Sequence, residues 1–253
     1  QTQFLEIAEV SSLDEVRALT LEGMLAAQAK QMAIPTTNFD FYTPTAGGSA
    51  LPFDILSAAA QSPLPLVLGS NHDEDRLWSA FDPMQAEFDN HDWERVSGEV
   101  FGDRASDARA VYEKLRPTET PKQLISSVRT DTAFRQRAQR LAEQHANHSN
   151  PTWMYWFTWA TPAFGGILGS CHALDVPFAF ENLSAPGTDM LTGDGVERAG
   201  IAQRFADEIV EFAKASKPTW PAFDLGNRQT LEINAEMNVL TDPEGEIRSL
   251  FVN

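Results

Sequence analysis

The amino-acid sequence predicts an α/β fold with a mostly parallel sheet. Residues 65–71 and 152–158 are short, strongly apolar segments, as expected of strands that are buried on both faces. A long helical region over residues 92–145 separates these two strands, and an amphipathic helix over about 197–214 follows the second one. Because strands that alternate with helical blocks are typical of α/β proteins, these three observations indicate the fold class.

The net charge and the cysteine content exclude several classes of binding partner and of structural site. The 253 residues include 19 Lys and Arg against 36 Asp and Glu, so the formal charge is −17. Phosphate backbones and anionic lipids are both bound through clustered basic side chains, so we expect no nucleic-acid partner and no membrane partner. The single cysteine, Cys171, excludes an intramolecular disulfide and a multi-cysteine zinc site, and it fits a cytoplasmic or an exported protein.

The region before the first strand is predicted to contain two helices and a loop. Residues 12–31 have the pattern of a helix that Ser11 or Ser12 can cap. Residues 33–52 are rich in Pro, Thr, Asn and Gly and are predicted to be a loop. Residues 53–60 are expected to form a short helix.

Between the two strands the pattern is helical throughout. A short helix is predicted at 76–81, and three longer ones at 93–101, 105–115 and 121–144. Since no strand candidate lies among them, residues 82–148 are predicted to be a helical, cap-like insertion.

After the second strand, a glycine-rich loop at 164–169 leads to His172. The tail is predicted to add short strands at 231–233 and 247–252, with a turn at 242–245 before the last one. The apolar face of the helix over 197–214 comprises Ile201, Phe205, Ile209 and Phe212.

The first candidate site is the polar segment 71–75, which directly follows the first strand. In open α/β sheets, ligands and catalytic groups gather at the carboxyl ends of the strands. Two other interpretations of the segment are open: a solvated acidic helix start, and a metal site around His72 and its neighbouring carboxylates. Adjacent side chains rarely converge on one ion, so we expect neither a metal nor another cofactor.

The second candidate site is His172. A histidine on a loop that leaves a strand is well placed to act as a general base, with a purely structural histidine as the alternative. The adjacent Cys171 raises the idea of a Cys–His dyad. Sequence neighbours in extended chain point to opposite sides, however, so a small buried thiol is favoured. Surface positions are predicted for the other four histidines, which are His72, His91, His145 and His148.

Motifs of several other chemistries are missing from the sequence. It contains no P-loop, no G-x-G-x-x-G, no HExxH and no EF-hand loop. A serine nucleophile of the α/β type lies in a G-x-S-x-G turn, and the candidates at 47–50 and 169–171 both lack the second glycine.

The two candidate segments together resemble those of the type B carboxylesterases, the family of the bacterial para-nitrobenzyl esterases and the cholinesterases. Residues 66–74, LVLGSNHDE, are similar to the family's strand–Gly–x–Asn–x–Asp–Glu segment, and 171–180, CHALDVPFAF, to its histidine segment. Further similarities lie at 206–223, at 242–243 and, without the family's Asp, at 45–52. The resemblance thus covers nearly the whole chain.

The resemblance implies an α/β-hydrolase fold and hydrolysis of a small-molecule carboxylic ester by a serine esterase triad. Glu74 matches the triad acid and His172 matches the general base. Leu77 and Trp78 match positions that line the substrate pocket, with core packing as the alternative for Trp78. Asp175 matches a second acidic position behind the histidine, where it could at most support it.

Two features depart from the family pattern. Asp75 stands where the family usually has Gly after the triad acid, which changes the backbone preference and adds charge. The nucleophile and the oxyanion-hole glycines belong to the family's N-terminal half, whereas residues 1–253 resemble the C-terminal half of the catalytic domain. The N-terminal half of the same esterase is therefore the expected companion chain.

Two other functions are alternatives. One is a non-catalytic, hydrolase-like binding or adhesion module, as in relatives that have lost the serine. The other is an acidic helical binding protein unrelated to hydrolases. We also expect these 253 residues alone to aggregate, because the parallel strands would expose edges and faces that the other half covers.

Overall fold

The computed structural model describes residues 2–34, 46–49, 51 and 53–252. They form two compact units, Gln1–Phe53 and Asp54–Asn253. The predicted loop at 33–52 and the family-like segment at 45–52 lie largely outside the described residues.

The described residues of the first unit form three helices. They are α1 (Thr2–Ile7), α2 (Leu13–Arg17) and α3 (Leu21–Met32). The prediction of one continuous helix over 12–31 was wrong, because the segment forms two helices. Thr20 begins the second one by accepting a hydrogen bond from the Gly23 amide (3.1 Å). Of the two predicted caps, Ser11 and Ser12, it is Ser12 that caps α2.

The second unit is built on a four-stranded sheet. Its strands, in spatial as well as chain order, are β1 (Leu66–Asn71), β2 (Thr152–Phe157), β3 (Gln229–Ile233) and β4 (Asn238–Thr241). The first three are parallel, and β4 is antiparallel to β3. The predicted mostly parallel sheet is therefore confirmed, and the carboxyl ends of β1 and β2 lie side by side.

A helical region connects β1 to β2. Helix α4 (Ile55–Gln61) precedes β1. The helices of the connection are α5 (Arg76–Ser79), α6 (Asn90–Phe101), α7 (Ala105–Leu115), α8 (Pro121–Thr130) and α9 (Gln136–Asn147). Helix α8 begins in a capping box between Thr120 and Gln123, with Pro121 in the first turn. The predicted helix over 121–144 is continuous in the chain, but its middle is a π-helical turn at Asp131–Arg135.

Helices cover the two faces of the sheet. The remaining helices are α10 (Val176–Ala179), α11 (Thr188–Thr192), α12 (Arg198–Ala215) and α13 (Gly245–Leu250). On one face, Ile201 and Phe205 of α12 pack with Phe157 and Ile233 of the strands. The predicted apolar face of α12 is confirmed, since Ile209 and Phe212 pack against the same cluster. On the other face, α9 packs against β1 and β2.

The tail differs from its prediction. Residues 247–252 were expected to form a strand, but Gly245–Leu250 is helical and the last strand is Asn238–Thr241. Ile247, Leu250 and Phe251 are spaced as one face of a helix, and all three pack against the core of α6, α7 and α8. A short apolar run fits the periodicity of a helix as well as that of a strand, so burial against those helices decides that this segment is helical. In the part of the chain that the structure describes, no helix is long and apolar enough to cross a membrane.

Candidate active site

The acidic loop after β1 places Glu74 in a buried position. Its side chain is only 7% exposed. The amide of Asn71 donates to Glu74 Oε1 (2.7 Å), and His172 Nδ1 lies 2.6 Å from Glu74 Oε2. Burial raises the pKa of Glu74, while the Asn71 amide and His172 oppose that rise. Because a carboxylate can only accept, the Nδ1 nitrogen is the one that carries the imidazole proton.

Four hydrogen bonds, two of them between backbone groups, join the acidic loop to the loop that carries His172. The Asp73 amide donates to the Ser170 carbonyl, and the Ser170 amide donates to Asp73 Oδ2, each at 2.9 Å. The His172 amide donates to the Glu74 carbonyl (3.3 Å), and Asn71 Nδ2 donates to the Cys171 carbonyl (2.7 Å). The two residues predicted as a pair from opposite ends of the helical region are thus brought together as neighbours.

Gly169 makes this close approach possible. Its φ is +56°, and a Cβ atom there would collide with the Asp73 carboxylate. Only glycine combines this backbone conformation with the missing side chain.

His172 is half-exposed and stands beside two aromatic rings. Its side chain is 41% exposed, and among the described residues no hydrogen bond reaches its Nε2. The ring centroid lies 5.0 Å from that of Trp78 and 5.2 Å from that of Phe134. Trp78 itself is 53% exposed, whereas Leu77 packs against the hydrophobic core. Trp78 therefore adjoins the imidazole at the surface and is not a buried core residue.

Phe134 was not predicted as a site residue. It lies 38 positions before His172 in the chain and is placed by the π-helical turn, which local sequence pattern does not reveal. Asn71 was predicted only as a member of the polar segment 71–75 and of the family-like segment, with no role of its own. It binds both loops, because its Nδ2 also donates to Asp175 Oδ1 (3.2 Å).

Asp175 lies behind the pair. Tyr155 donates its hydroxyl proton to Asp175 Oδ2 (2.9 Å). Burial raises the pKa of Tyr155, and the neighbouring Asp175 carboxylate raises it further, so the phenol stays protonated and acts as a donor.

Asp73 has the opposite environment from Glu74 although both are buried. Its Oδ1 lies 2.9 Å from His72 Nδ1 and 3.1 Å from an Arg76 nitrogen. Burial alone would raise the pKa of Asp73, but His72, Arg76 and the Ser170 amide together hold it below its usual range. Asp73 is thus a structural anion, and Glu74 is the carboxylate that faces His172.

Two predictions of surface histidines need correction. His145 is 1% exposed; it contacts Thr152 Oγ1 through Nδ1 (2.7 Å) and the Ser62 carbonyl through Nε2 (3.1 Å). It follows Ala138 and Ala142 on the inner face of α9, a spacing that its polar neighbours concealed. His72 is only 25% exposed and stacks on Trp156, with ring centroids 5.1 Å apart.

Three further expectations concern neighbouring residues. Cys171 is fully buried, which confirms the buried thiol, and burial raises its pKa to about 12. Asp75 has a φ of −63°, which any residue adopts, so this position does not require the family's glycine. The residues described contain no group of three or more His, Cys, Asp or Glu side chains that could hold a metal ion.

Comparison with known proteins identifies the family. The model of the carboxylesterase family matches residues 7–247. The chain is 27% identical to the para-nitrobenzyl esterase of Bacillus subtilis (strain 168) over 97% of this chain and 51% of that protein. It is 28% identical to the phenmedipham hydrolase of Pseudarthrobacter oxydans over 78% of this chain and 41% of that protein. The chain thus spans about half the length of the curated relatives it matches.

Solved structures agree on the fold. A carboxylesterase of Geobacillus stearothermophilus superposes with a TM-score of 0.77 at 24% identity, over 99% of this chain and 53% of that one. A structure of PNB esterase gives a TM-score of 0.73 at 23% identity, over 100% and 53% of the two chains. The family assignment excludes the interpretation as an acidic binding protein unrelated to hydrolases. The chain belongs to the carboxylesterase family and has the α/β-hydrolase fold over the part that it shares with these esterases.

Proposed function

We propose that the chain supplies the acid and the general base of a serine carboxylic-ester hydrolase, with Glu74 as the acid and His172 as the base. The observation that carries this proposal is the 2.6 Å contact between Glu74 Oε2 and His172 Nδ1 at the carboxyl ends of neighbouring parallel strands. It leaves Nε2, the nitrogen that must exchange protons with a nucleophile, without a hydrogen bond among the described residues, on a side chain that is 41% exposed.

In the proposed reaction, His172 carries one proton through the acyl transfer. The serine hydroxyl gives its proton to Nε2 while its oxygen forms a bond to the carbonyl carbon of the ester. Nε2 then returns the proton to the departing alkoxide, and the bond between the carbonyl carbon and the alcohol oxygen breaks. A water molecule then gives a proton to Nε2 and bonds to the acyl carbon. The bond between that carbon and the serine oxygen breaks, the serine takes the proton back from Nε2, and the carboxylic acid is released. Glu74 holds the imidazole by Nδ1 and stabilises its cationic form.

The serine must come from another part of the esterase. The sequence has no G-x-S-x-G turn, and the relatives are about twice as long as the region matched. We propose that the N-terminal half of the same esterase is the companion that provides it. An incomplete sheet supports this, because β1 has β2 as its one strand partner among the described residues. Its neighbourhood includes the half-exposed apolar side chains of Ile55 and Leu56.

The substrate is proposed to be a small carboxylic ester that contacts Trp78. The indole is exposed beside the imidazole, whereas Leu77 is tied to the core and would support the pocket from below. One similar protein is a para-nitrobenzyl esterase, a name that specifies an aromatic ester, and a flat exposed indole offers such a group a stacking surface.

The test is turnover by the complete protein with both halves present. We expect hydrolysis of para-nitrophenyl acetate and butyrate, together with covalent labelling of a serine by an organophosphate. A complete protein that neither hydrolyses these esters nor takes up the label would contradict the proposal. Replacement of the upstream serine in that protein would favour the alternative, a non-catalytic hydrolase-like binding or adhesion module.

A further inference from the structure

Three rings meet at the exposed side of the candidate active site. The centroids of His172, Trp78 and Phe134 are 5.0, 5.2 and 6.2 Å apart, so they form a nearly equilateral triangle. If the imidazole lay between the other two rings, the centroids of Trp78 and Phe134 would be separated by about the sum of their distances to His172. Trp78 and Phe134 therefore approach the imidazole from the same side. Their own planes are almost parallel, at 12°.

A π-helical turn places Phe134 in this triangle. The turn at Asp131–Arg135 interrupts the run from α8 to α9, and such wide turns in helices occur frequently at functional sites. Asp131 at its start is fully buried and accepts the hydroxyl proton of Tyr112 (2.6 Å). Arg135 at its end binds Glu244 and donates to the Pro243 carbonyl (2.6 Å). Both ends of the turn are thus held by buried polar contacts.

Phe134 lies between these two anchors and faces the site. It is partly exposed, and its ring contacts the rings of Trp78 and His172. A core phenylalanine would instead pack into one of the hydrophobic clusters behind the turn. The anchored turn therefore holds one aromatic side chain against the imidazole and its neighbouring indole.

We propose that Phe134 is a positioning residue for the His172 imidazole. The proposal rests on the proposed function, because it concerns the orientation of the same general base. The contact with Glu74 fixes one ring nitrogen but permits the imidazole to swing about that bond. Phe134, through its own contact with the imidazole and its contact with Trp78, limits this swing and keeps Nε2 directed at the serine.

The test compares Phe134→Leu with Phe134→Tyr in the complete esterase. Leucine keeps apolar bulk but loses the flat ring, and tyrosine keeps the ring. For Phe134→Leu we expect kcat to fall about tenfold with KM changed less than about twofold, because the base is misdirected while the substrate still binds. Phe134→Tyr should keep kcat within about twofold of the unmodified enzyme. A higher KM with unchanged kcat would overturn the proposal and make Phe134 a substrate contact.

Phe81→Leu is the matched control. Phe81 is exposed and packs edge-on against Phe164, with centroids 5.1 Å apart, so this variant removes a similar surface ring contact away from His172. We expect its kcat and KM to equal those of the unmodified enzyme. An equal fall of kcat in Phe81→Leu and Phe134→Leu would overturn the positioning role.

A proton NMR measurement tests the contact without any turnover. The Nδ1 proton of His172 should give a downfield signal, identified by its loss in His172→Gln. We expect that signal to broaden and exchange faster in Phe134→Leu and to persist in Phe134→Tyr. If the complete protein is inactive and unlabelled but this response occurs, the proposed function fails and the positioning contact stands. An unchanged signal together with an unchanged kcat would overturn the proposal.

Discussion

At the scale of single residues, two adjacent carboxylates differ because their partners differ. Asp73 is surrounded by His72, Arg76 and the Ser170 amide, which lower its pKa despite burial. Glu74 has the Asn71 amide and His172 as partners and Asp175 nearby, and burial raises its pKa. Neighbouring groups whose environments move their pKa values apart have separate tasks. Asp73 fastens the two loops, and Glu74 is left to face His172.

This difference predicts a pH-dependent stability effect of Asp73→Asn. The native pKa of Asp73 lies below its unfolded value, so its stabilising effect is complete above the unfolded pKa, about 4, and is lost as the pH falls below it. Asp73→Asn in the complete esterase should lower the free energy of unfolding at pH 7 by about 3 kcal/mol. The difference from the unmodified protein should shrink on acidification below about pH 4.

Urea unfolding between pH 7 and pH 3 measures this effect. Asp189→Asn, which changes an exposed carboxylate, is the control and should behave like the unmodified protein. A loss of stability in Asp73→Asn that is the same at both ends of the pH range would contradict the electrostatic explanation.

Residue types and their position after strands could be predicted from the sequence, but their surroundings could not. Glu74 and His172 were predicted as a pair because each follows a strand and each fits a family-like segment. Phe134 was missed because a contact across 38 positions depends on a π-helical turn. His145 was mistaken for a surface residue because local polarity says nothing of which helix face meets the sheet.

At the scale of elements, tertiary packing decided what local pattern left ambiguous. The strongly periodic helix α12 and the apolar strands β1 and β2 were predicted correctly because each satisfies one period over its length. The short tail segment satisfies both periods. It became α13 because Ile247 fills a site in the core of α6, α7 and α8.

This account of α13 predicts a large effect of Ile247→Ala in the complete esterase. Ile247 is fully buried, so its truncation leaves a cavity and should cost about 2–5 kcal/mol in the free energy of unfolding. Val239→Ala is the matched control, because Val239 lies on β4 and is 44% exposed. Denaturant unfolding of both variants gives the comparison. A loss below about 1 kcal/mol for Ile247→Ala would mean that α13 is not docked as described.

At the scale of the whole molecule, the sheet is the part that most needs a partner. One edge of the four-stranded sheet is β1, and its apolar residues are only partly buried. Beside it, Ile55, Leu56, Leu68 and Leu141 line an apolar groove. Unpaired strand edges and exposed apolar grooves promote association with other chains. The formal charge of −17 opposes self-association only through long-range repulsion, which salt screens.

We therefore predict that these 253 residues, expressed alone, aggregate. Co-expression with the N-terminal half should yield a soluble complex, because that half would pair with β1 and cover the groove. Light scattering and thermal melting of both preparations provide the measurement, at low and at moderate salt. A soluble, monomeric and cooperatively melting sample of the isolated chain would show that the edge does not need covering.

The central claim is that Glu74 and His172 act together on a serine, and His172→Ala in the complete esterase tests it most directly. The exposed His91, replaced by Ala, is the control and should leave ester turnover unchanged. With para-nitrophenyl butyrate, we expect His172→Ala to lower kcat by a factor on the order of 10⁴ or more, because the serine loses its base. Turnover within about tenfold of the unmodified enzyme would contradict the account, since loss of a general base lowers the rate by more than that.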